Sequence, residues 1–473
     1  MPEEYDLVII GAGTGGYTAA VKAAQEGLKT AVVEKDREGG TCLHQGCIPS
    51  KSLLKSAEMY TEMQESAQYG ISASDVTLEF DKVQDRKDSV VEQLHRGVRN
   101  LMNRENIDVY KGTGRILGPS IFSPRAGTVS VEMNNRQENA MLLPKHVMIA
   151  TGSRPRQLAG IEADGKSILT SDHALHLREL PASLMIVGGG VIGVEFASMM
   201  SDFGVDVTMV EYTSRLLPQE DKDISKEVEK TLKDRGVHVY TNSSVQEKKQ
   251  SDSGRVTLRI EQDGEGLDLT AEKVLLCIGR RANIEDIGIE NTDIDTENGL
   301  VVTDEKCRTK ETHIYAIGDV QKGMQLAHTA SREGMNAVND ILTGSCEPLD
   351  PARVPRCTYS RPETASIGWT QEQAEERYES VKTPRIPFQA IGRAVVQGHT
   401  DGFVKLIVNG ANDDLLGVHM FGSGVTELIS EASLAMLVDA ANTELSETIH
   451  PHPSLSEIYG EAALAAENKA IHF

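Results

Sequence analysis

Residues 5 to 10 (Tyr5-Asp6-Leu7-Val8-Ile9-Ile10) form a short, mostly apolar run closed by Gly11, the pattern of a buried strand. Gly11-Ala12-Gly13-Thr14-Gly15-Gly16 follows and opens a helix of small residues through Ala19, Ala20, Ala23 and Ala24. A second strand, Thr30-Ala31-Val32-Val33, ends at Glu34. The same pattern recurs further on: Leu184-Met185-Ile186-Val187 feeds Gly188-Gly189-Gly190-Val191-Ile192-Gly193, and Val207-Thr208-Met209-Val210 leads to Glu211. From first glycine to acid the step is 23 residues in both copies, 11 to 34 and 188 to 211. Two further apolar runs, Val147-Met148-Ile149 and Val274-Leu275-Leu276, read as strands at the edges of nucleotide domains. They end at Ala150-Thr151-Gly152-Ser153-Arg154-Pro155 and Cys277-Ile278-Gly279-Arg280. Between 228 and 270 the chain is charged and alternating, as in Val256-Thr257-Leu258-Arg259-Ile260, which predicts an antiparallel excursion. Ile314-Tyr315-Ala316 is a strand running into Gly318-Asp319, and 326–338 reads helical. Near the end, 403–408 and 415–420 are strand candidates, and 427–440 is a helix with Leu428, Ile429, Ala432, Ala435, Met436 and Val438 apolar.

Each strand, glycine-rich turn, helix and second strand ending in an acid is a dinucleotide fingerprint: glycines for the tight turn and the backbone approach to a pyrophosphate, the acid for ribose hydroxyls. Two dinucleotide sites follow, with Gly11, Gly13, Gly16 and Glu34 in the first and Gly188, Gly190, Gly193 and Glu211 in the second. No arginine pair follows Glu211 directly, so the second site favours NAD over NADP, whose 2′-phosphate would meet a carboxylate there. Arg215 is the one nearby cation.

After the first copy comes Gly39-Gly40-Thr41-Cys42-Leu43-His44-Gln45-Gly46-Cys47-Ile48-Pro49-Ser50-Lys51, which puts two thiols five positions apart ahead of an apparent helix starting at Pro49. Proline suits a first helical turn, and a thiolate at that end meets the positive pole of the helix dipole. Cys47 is therefore expected to ionise more easily than a free thiol. Two unrelated core thiols is the plainer reading of an isolated pair; the adjoining nucleotide site favours a redox pair.

At 473 residues the chain allows roughly three domains of about 150 residues. It has no charge-free apolar run long enough to span a bilayer, and its first ten residues lack the features of a secretory or transit signal, so a cytosolic protein is expected. Cys277, Cys307, Cys346 and Cys357 are scattered, match no zinc spacing, and read as inert core thiols. The formal charge of −23 argues against nucleic acid as partner and suits solubility or a basic protein partner.

Taken together, the double fingerprint, GGTCLHQGCIPSK, ATGSRP, the second-copy glycines with Glu195, AIGDV at 316–320 and HPHPSLSE at 450–457 resemble the class I pyridine nucleotide-disulfide oxidoreductases. The resemblance is to their dihydrolipoyl-oxidising branch and covers essentially the whole chain. It implies an α/β protein with two Rossmann-like dinucleotide-binding domains plus a C-terminal α+β dimerisation domain: an FAD domain with the redox disulfide at 1–149, an NAD domain at 150–279, a central domain at 280–349 and an interface domain at 350–473. FAD is implied at the first site, with Asp319 on the ribityl and phosphate region, Gly114, Thr151, Gly152 and Ala327 as further contacts, and Lys51 paired with Glu195 beside the flavin ring. On their own Lys51 is a solvated helix residue, and Glu195 merely favours the positive end of its helix. NAD is implied at the second site, with Gly279.

By the same resemblance His452 is the base and Glu457 orients it, both reaching the disulfide from the other subunit of a homodimer. A dihydrolipoyl thiol loses its proton to His452, the thiolate attacks Cys42, Cys47 is left as the thiolate against FAD, and hydride leaves to NAD⁺. The implied substrate is the lipoyl domain of an acyltransferase (E2), and the implied docking partner is the E2 peripheral subunit-binding domain. Glu457 also fits a capping box with Ser454 as N-cap, a serine where the family usually has threonine. His450 reads as a structural neighbour. The competing readings are a glutathione-type NAD(P)H-dependent disulfide reductase and a non-catalytic flavoprotein scaffold; the intact cysteines with His452 and Glu457 speak against the latter.

Overall fold

The computed structural model describes residues 3–119, 125–134, 138–249 and 254–473. The chain divides into two compact units. The first comprises 1–52, 82–156 and 280–349; the second comprises 53–81, 157–279 and 350–473.

The first unit is built on a parallel sheet. Glu3–Ile10 lies between Thr30–Glu34 and Ala140–Ile149, with Asp108–Leu117 outside the one and Ile314–Ala316 outside the other. The far half of Asp108–Leu117 turns antiparallel to Thr128–Met133, which returns against Ala140–Ile149. A strand covered on both faces is apolar at every position. Accordingly Leu7 and Ile9 pack on one face with Ala19, Ala20, Ala23, Met102 and Ala337. Val8 and Ile10 pack on the other face with Val129, Val131 and Ile314. The small residues of Thr14–Gln25 let that helix approach Ala327–Thr343 closely: a Cβ on Gly15 would lie 2.9 Å from the Ala330 carbonyl oxygen.

The second unit repeats the plan. Ser183–Val187 is flanked by Asp206–Val210 and Lys273–Leu276, with His238–Tyr240 and Ile168–Thr170 outermost, all parallel. The antiparallel excursion is present, but it is shorter than the alternation suggested. Only Ser243–Lys249, Val256–Gln262 and Glu265–Ala271 form the meander. The stretch up to 234 belongs instead to a helix, Lys222–Asp234, whose first turn is capped by the Asp221 carboxylate accepting from the Asp223 N–H. Ile224, Val228 and Leu232 recur every four residues on its buried face, a helical period that the surrounding Lys and Glu residues mask. The 350–473 part carries an antiparallel sheet, with Phe403–Asn409 and Leu415–Gly422 at its centre and Glu363–Gly368 beyond. Val425–Leu437 and Glu457–Ala466 contribute Ile429, Ala432, Ile458 and Ala462 to its core. A buried Lys405 on this sheet donates to Asp221 at 2.9 Å and Asp223 at 2.8 Å, tying it to the cap of Lys222–Asp234.

The two copies match in detail. Gly11 has φ +107° and Gly188 φ +112°. A Cβ on either would fall 2.3 Å from the carbonyl oxygen of Ala150 or Cys277, at the end of the neighbouring strand. A Gly188→Ala substitution is therefore expected to strain this turn by about 1–3 kcal/mol for the backbone conformation alone, more with the clash. Gly190→Ala, where a Cβ meets nothing within 4 Å, should leave thermal unfolding within about 0.5 kcal/mol of the parent. Equal melting temperatures for both variants would contradict the geometry.

Candidate active site

Strand ends and helix starts create the first site. Gly11 donates to the Val33 carbonyl at 2.8 Å, and Ala150 donates to that of Ile10 at 2.9 Å, closing the turn between three parallel strands. Gly13 is the N-cap of Thr14–Gln25, and no side chain caps that terminus. Its first N–H groups are left for an anion, and the space beside Gly13 is open. A Cβ on Gly16 would come within 2.0 Å of the Gly11 carbonyl oxygen, so glycine is required there for helix and turn to meet. Glu34 is buried; its carboxylate accepts from the Ala12 N–H at 2.7 Å and from the Asp36 N–H at 2.8 Å, while burial pushes its pKa above the usual carboxylate range. The donor set and the open N-terminus fit a dinucleotide.

The second copy has the same parts. Gly188 donates to the Val210 carbonyl at 2.8 Å, Gly190 is an uncapped N-cap for Val191–Asp202, and a Cβ on Gly193 would meet the Gly188 carbonyl oxygen at 2.0 Å. Buried Glu211 accepts from the Gly189 N–H and from the Thr213 hydroxyl at 2.7 Å. Gly279 has φ +103° just beyond the Lys273–Leu276 strand. Arg215 does not extend toward an open site: it donates to the carbonyls of Pro218 at 3.1 Å and Glu220 at 3.4 Å and pairs with Glu372 at 3.3 Å.

The redox motif is laid directly on the first glycine loop. Gly39 donates to the Ala12 carbonyl at 2.7 Å, Gly13 and Gly39 form a parallel bridge, and a Cβ on Gly40 would sit 2.6 Å from the Gly13 Cα. Cys42 lies on a short helix, Gly40–His44, that the sequence reading did not foresee. Cys47 itself starts the following helix, Cys47–Gln64, two residues earlier than the proline suggested. The two thiols are unbridged and hydrogen-bonded to each other. That bond holds the Cys42 thiol down to about 7 against the opposing effect of burial, helped by a Thr14 hydrogen bond and the positive charge of Lys51. The acidity shown at Cys42 belongs to the pair, since each thiol is the other's hydrogen-bond partner. Thr14 was absent from the sequence reading; its position at the start of the glycine-loop helix was the only signal.

The other expected first-site residues lie in the same unit. Asp319 accepts from the Ser153 hydroxyl, and the neighbouring Gly318 N–H donates at 2.6 Å to buried Glu333, a second residue that sequence reasoning missed. Thr151 donates its hydroxyl to the Asn283 carbonyl at 2.6 Å, and the Asn283 N–H returns a bond to Gly152 at 2.8 Å. Gly114 lies in the sheet against Ile10 and Val33, and Ala327 begins Ala327–Thr343. Lys51 is half-buried on Cys47–Gln64.

In the second unit, Glu195 is buried on Val191–Asp202 and accepts from the Tyr359 N–H at 3.0 Å, a bond that anchors the 356–360 stretch. His452 Nδ1 lies 2.8 Å from Glu457 Oε1, an arrangement in which Nδ1–H donates and Nε2 is left to take a proton. His452 is 80% exposed in its side chain. Glu457 is held below the usual carboxylate range by this bond and by the Ser454 N–H at 2.9 Å. The expected capping box is only half made: the N-cap of Glu457–Ala466 is Ser456, and the Ser454 hydroxyl meets that of Ser456 instead. Of the remaining cysteines, Cys307 is buried and pushed up to about 12, burial holds the Cys277 thiol well above the usual range, and Cys357 packs against the C-terminal core, as inert core thiols should; Cys346 is half-buried.

The chain belongs to the pyridine nucleotide-disulphide oxidoreductase family, whose main domain matches residues 5–334 and whose dimerisation domain matches 354–463. Within that family it is similar to dihydrolipoyl dehydrogenase of Bacillus subtilis, 58% identical over 474 residues and covering all of both chains. It is also similar to the enzyme of the same name from Zymomonas mobilis, 40% identical over the full length of both. Among solved structures it resembles LpdA from Mycobacterium tuberculosis at a TM-score of 0.90 and 26% identity, covering 98% of this chain and 99% of that one. It also resembles the HOCl-induced flavoprotein disulfide reductase RclA of Escherichia coli, in its Cu(II) complex, at a TM-score of 0.85 and 29% identity, covering 98% of this chain and all of that one. No described helix is long and apolar enough to cross a membrane.

In the reduced protein, thiolate absorbance should appear with a midpoint near pH 7. Cys47→Ala should move that midpoint up, toward the free-thiol range, because the main stabilising bond is lost. A parent midpoint in the ordinary free-thiol range would contradict the acidity assigned to the pair.

Proposed function

We propose that this protein is the NAD-linked flavoprotein that reoxidises protein-bound dihydrolipoyl groups of 2-oxoacid dehydrogenase-type complexes. The observation that carries the reading is the Cys42–Cys47 pair, hydrogen-bonded to each other and to Thr14 at the mouth of the first glycine loop. FAD belongs at Gly11, Gly13, Gly16 and Glu34, with Gly114, Thr151, Gly152, Asp319 and Ala327 as further contacts. NAD belongs at Gly188, Gly190, Gly193, Glu211 and Gly279. The flavin, when bound, supplies a two-electron carrier between the thiol pair and the nicotinamide.

The chain's own residues supply the rest. His452, its Nδ1–H held by Glu457, receives the proton of a dihydrolipoyl thiol at Nε2. The resulting thiolate attacks Cys42 of the oxidised pair, forming a mixed disulfide and releasing Cys47 as thiolate. The second lipoyl thiol, its proton passing to the departing Cys42 sulfur, then attacks the lipoyl sulfur of that mixed disulfide, closing the cyclic disulfide and releasing Cys42 as a thiol. Lys51 and Glu195 keep the role the resemblance gives them. Pairing of Arg215 with Glu372 and two carbonyls supports NAD over NADP, since a 2′-phosphate would find Glu211 and no free arginine beside it.

The same proposal divides the chain at 149, 279 and 349, with the 350–473 part pairing two subunits. It names the lipoyl domain of E2 as substrate and the basic peripheral subunit-binding domain of E2 as docking partner, which the net charge of −23 suits. The cytoplasm is the proposed compartment, whose reducing conditions suit the four unbridged cysteines outside the redox pair.

Purified protein should reduce NAD⁺ with free dihydrolipoamide and show little activity with NADPH and glutathione disulfide; the opposite preference would overturn the proposal. His452→Gln should lower the dihydrolipoamide half-reaction by about 10²–10⁴-fold. An unchanged rate would remove His452 as the base.

A further inference from the structure

The 448–456 loop carries a second histidine–carboxylate pair. His450 Nε2 lies 2.7 Å from Glu431 Oε1 on Val425–Leu437. Its ring stacks on that of Tyr459, with centroids 6.4 Å apart and planes 16° from parallel. Tyr459 is fully buried on Glu457–Ala466 and donates its hydroxyl to the Leu428 carbonyl at 2.7 Å. His450, its side chain only 8% exposed, is thus held between two helices, whereas His452, two residues on, stands out in solvent at 80%.

The chemistry of the two pairs is complementary. His450 uses Nε2 toward its carboxylate, and His452 uses Nδ1. A general base works only if its free nitrogen is held in a narrow range of positions, and an exposed imidazole with a single hydrogen bond has considerable freedom. One bond to Glu457 restrains the ring; it does not fix the backbone that bears it. Fixing that backbone falls to the buried neighbour.

We infer that Glu431 and His450, with the Tyr459 ring, form a positioning unit for His452. Glu431 holds His450, His450 fixes the loop, and the loop sets where His452 Nε2 meets the substrate thiol. The inference rests on the reading of His452 as the base and adds positioning residues to it. Neither Glu431 nor His450 touches the reacting atoms.

The test compares Glu431→Ala, Glu431→Gln, His450→Gln and His452→Gln as flavin-loaded dimers. Two rates are read separately: reduction of the enzyme by dihydrolipoamide, and NADH oxidation with ferricyanide as acceptor, which needs no thiol proton transfer. Flavin content and dimer mass are measured for each variant. Glu431→Ala and His450→Gln are expected to lower kcat/KM for dihydrolipoamide about 10- to 100-fold, the scale of a misplaced catalytic group. The NADH–ferricyanide rate should stay at the parent level, and Glu431→Gln, which retains an acceptor oxygen for the His450 N–H, should recover most of the loss. Parent-like dihydrolipoamide rates in Glu431→Ala and His450→Gln, alongside a dead His452→Gln, would overturn the inference while leaving the base in place. Equal loss of both rates, with flavin or dimer lost, would overturn it in favour of a purely structural role. A His452→Gln enzyme that still reacts with dihydrolipoamide would overturn the base assignment and the positioning unit with it.

Discussion

Everything chemical in the first unit depends on how closely two glycine turns approach each other. Gly39 and Gly40 lie against Ala12 and Gly13 at backbone distance, and any side chain at Gly40 would collide with the Gly13 Cα. That contact makes the nucleotide loop and the redox motif one piece of structure. Cys42 follows two residues later, near enough for Thr14 of the glycine loop to reach its sulfur. The thiol's acidity and the phosphate-binding geometry therefore share a cause. A change that opened the turn would be felt by both.

The repeated fingerprint was legible because its requirements are steric and local. A glycine at φ above +100° against a strand-end carbonyl, and another where helix crosses turn, leave few alternatives, and both copies comply. The chemistry of the pair was less legible. Proline at the third position of Cys47–Gln64 marked a helix start without fixing its first residue, and Thr14, which helps lower the pKa of the Cys42 thiol, sits 28 residues earlier in the chain (14 to 42). The Lys222–Asp234 helix was hidden because only Ile224, Val228 and Leu232 carry its apolar period, one residue in four, among Lys, Glu and Asp. Glu333 gave no signal at all, since a carboxylate on a helix is normally solvated and only the fold carries this one to the Gly318 N–H.

In the proposed reading, the preference of the second site for NAD has two sources acting together. Glu211 would set a carboxylate against a 2′-phosphate, and Arg215, the nearby cation, is bonded to Pro218, Glu220 and Glu372. The same loop is secured behind by Arg356 on Glu220 at 3.0 Å and by Lys405 on Asp221. Buried charges of this kind cost desolvation unless fully paired. Here they hold the 211–222 segment in one conformation, so discrimination comes from an unfavourable contact for one ligand as much as from a favourable one for the other.

The proton-handling end of the molecule separates stiffness from access. His452, the proposed base, is exposed on its loop, as a base would need to be if its substrate is a thiol on a long arm borne by another protein. The residues before it differ: His450 is clamped between helices, while Ile449 is 95% exposed. Leu434, Leu437 and Val438 are exposed nearby in sequence on Val425–Leu437 and just past it. Apolar surface of this extent in a chain with a dimerisation domain is what a second copy covers. On that argument the loop is stiffened from within by Glu431 and Tyr459 and shielded from without by pairing.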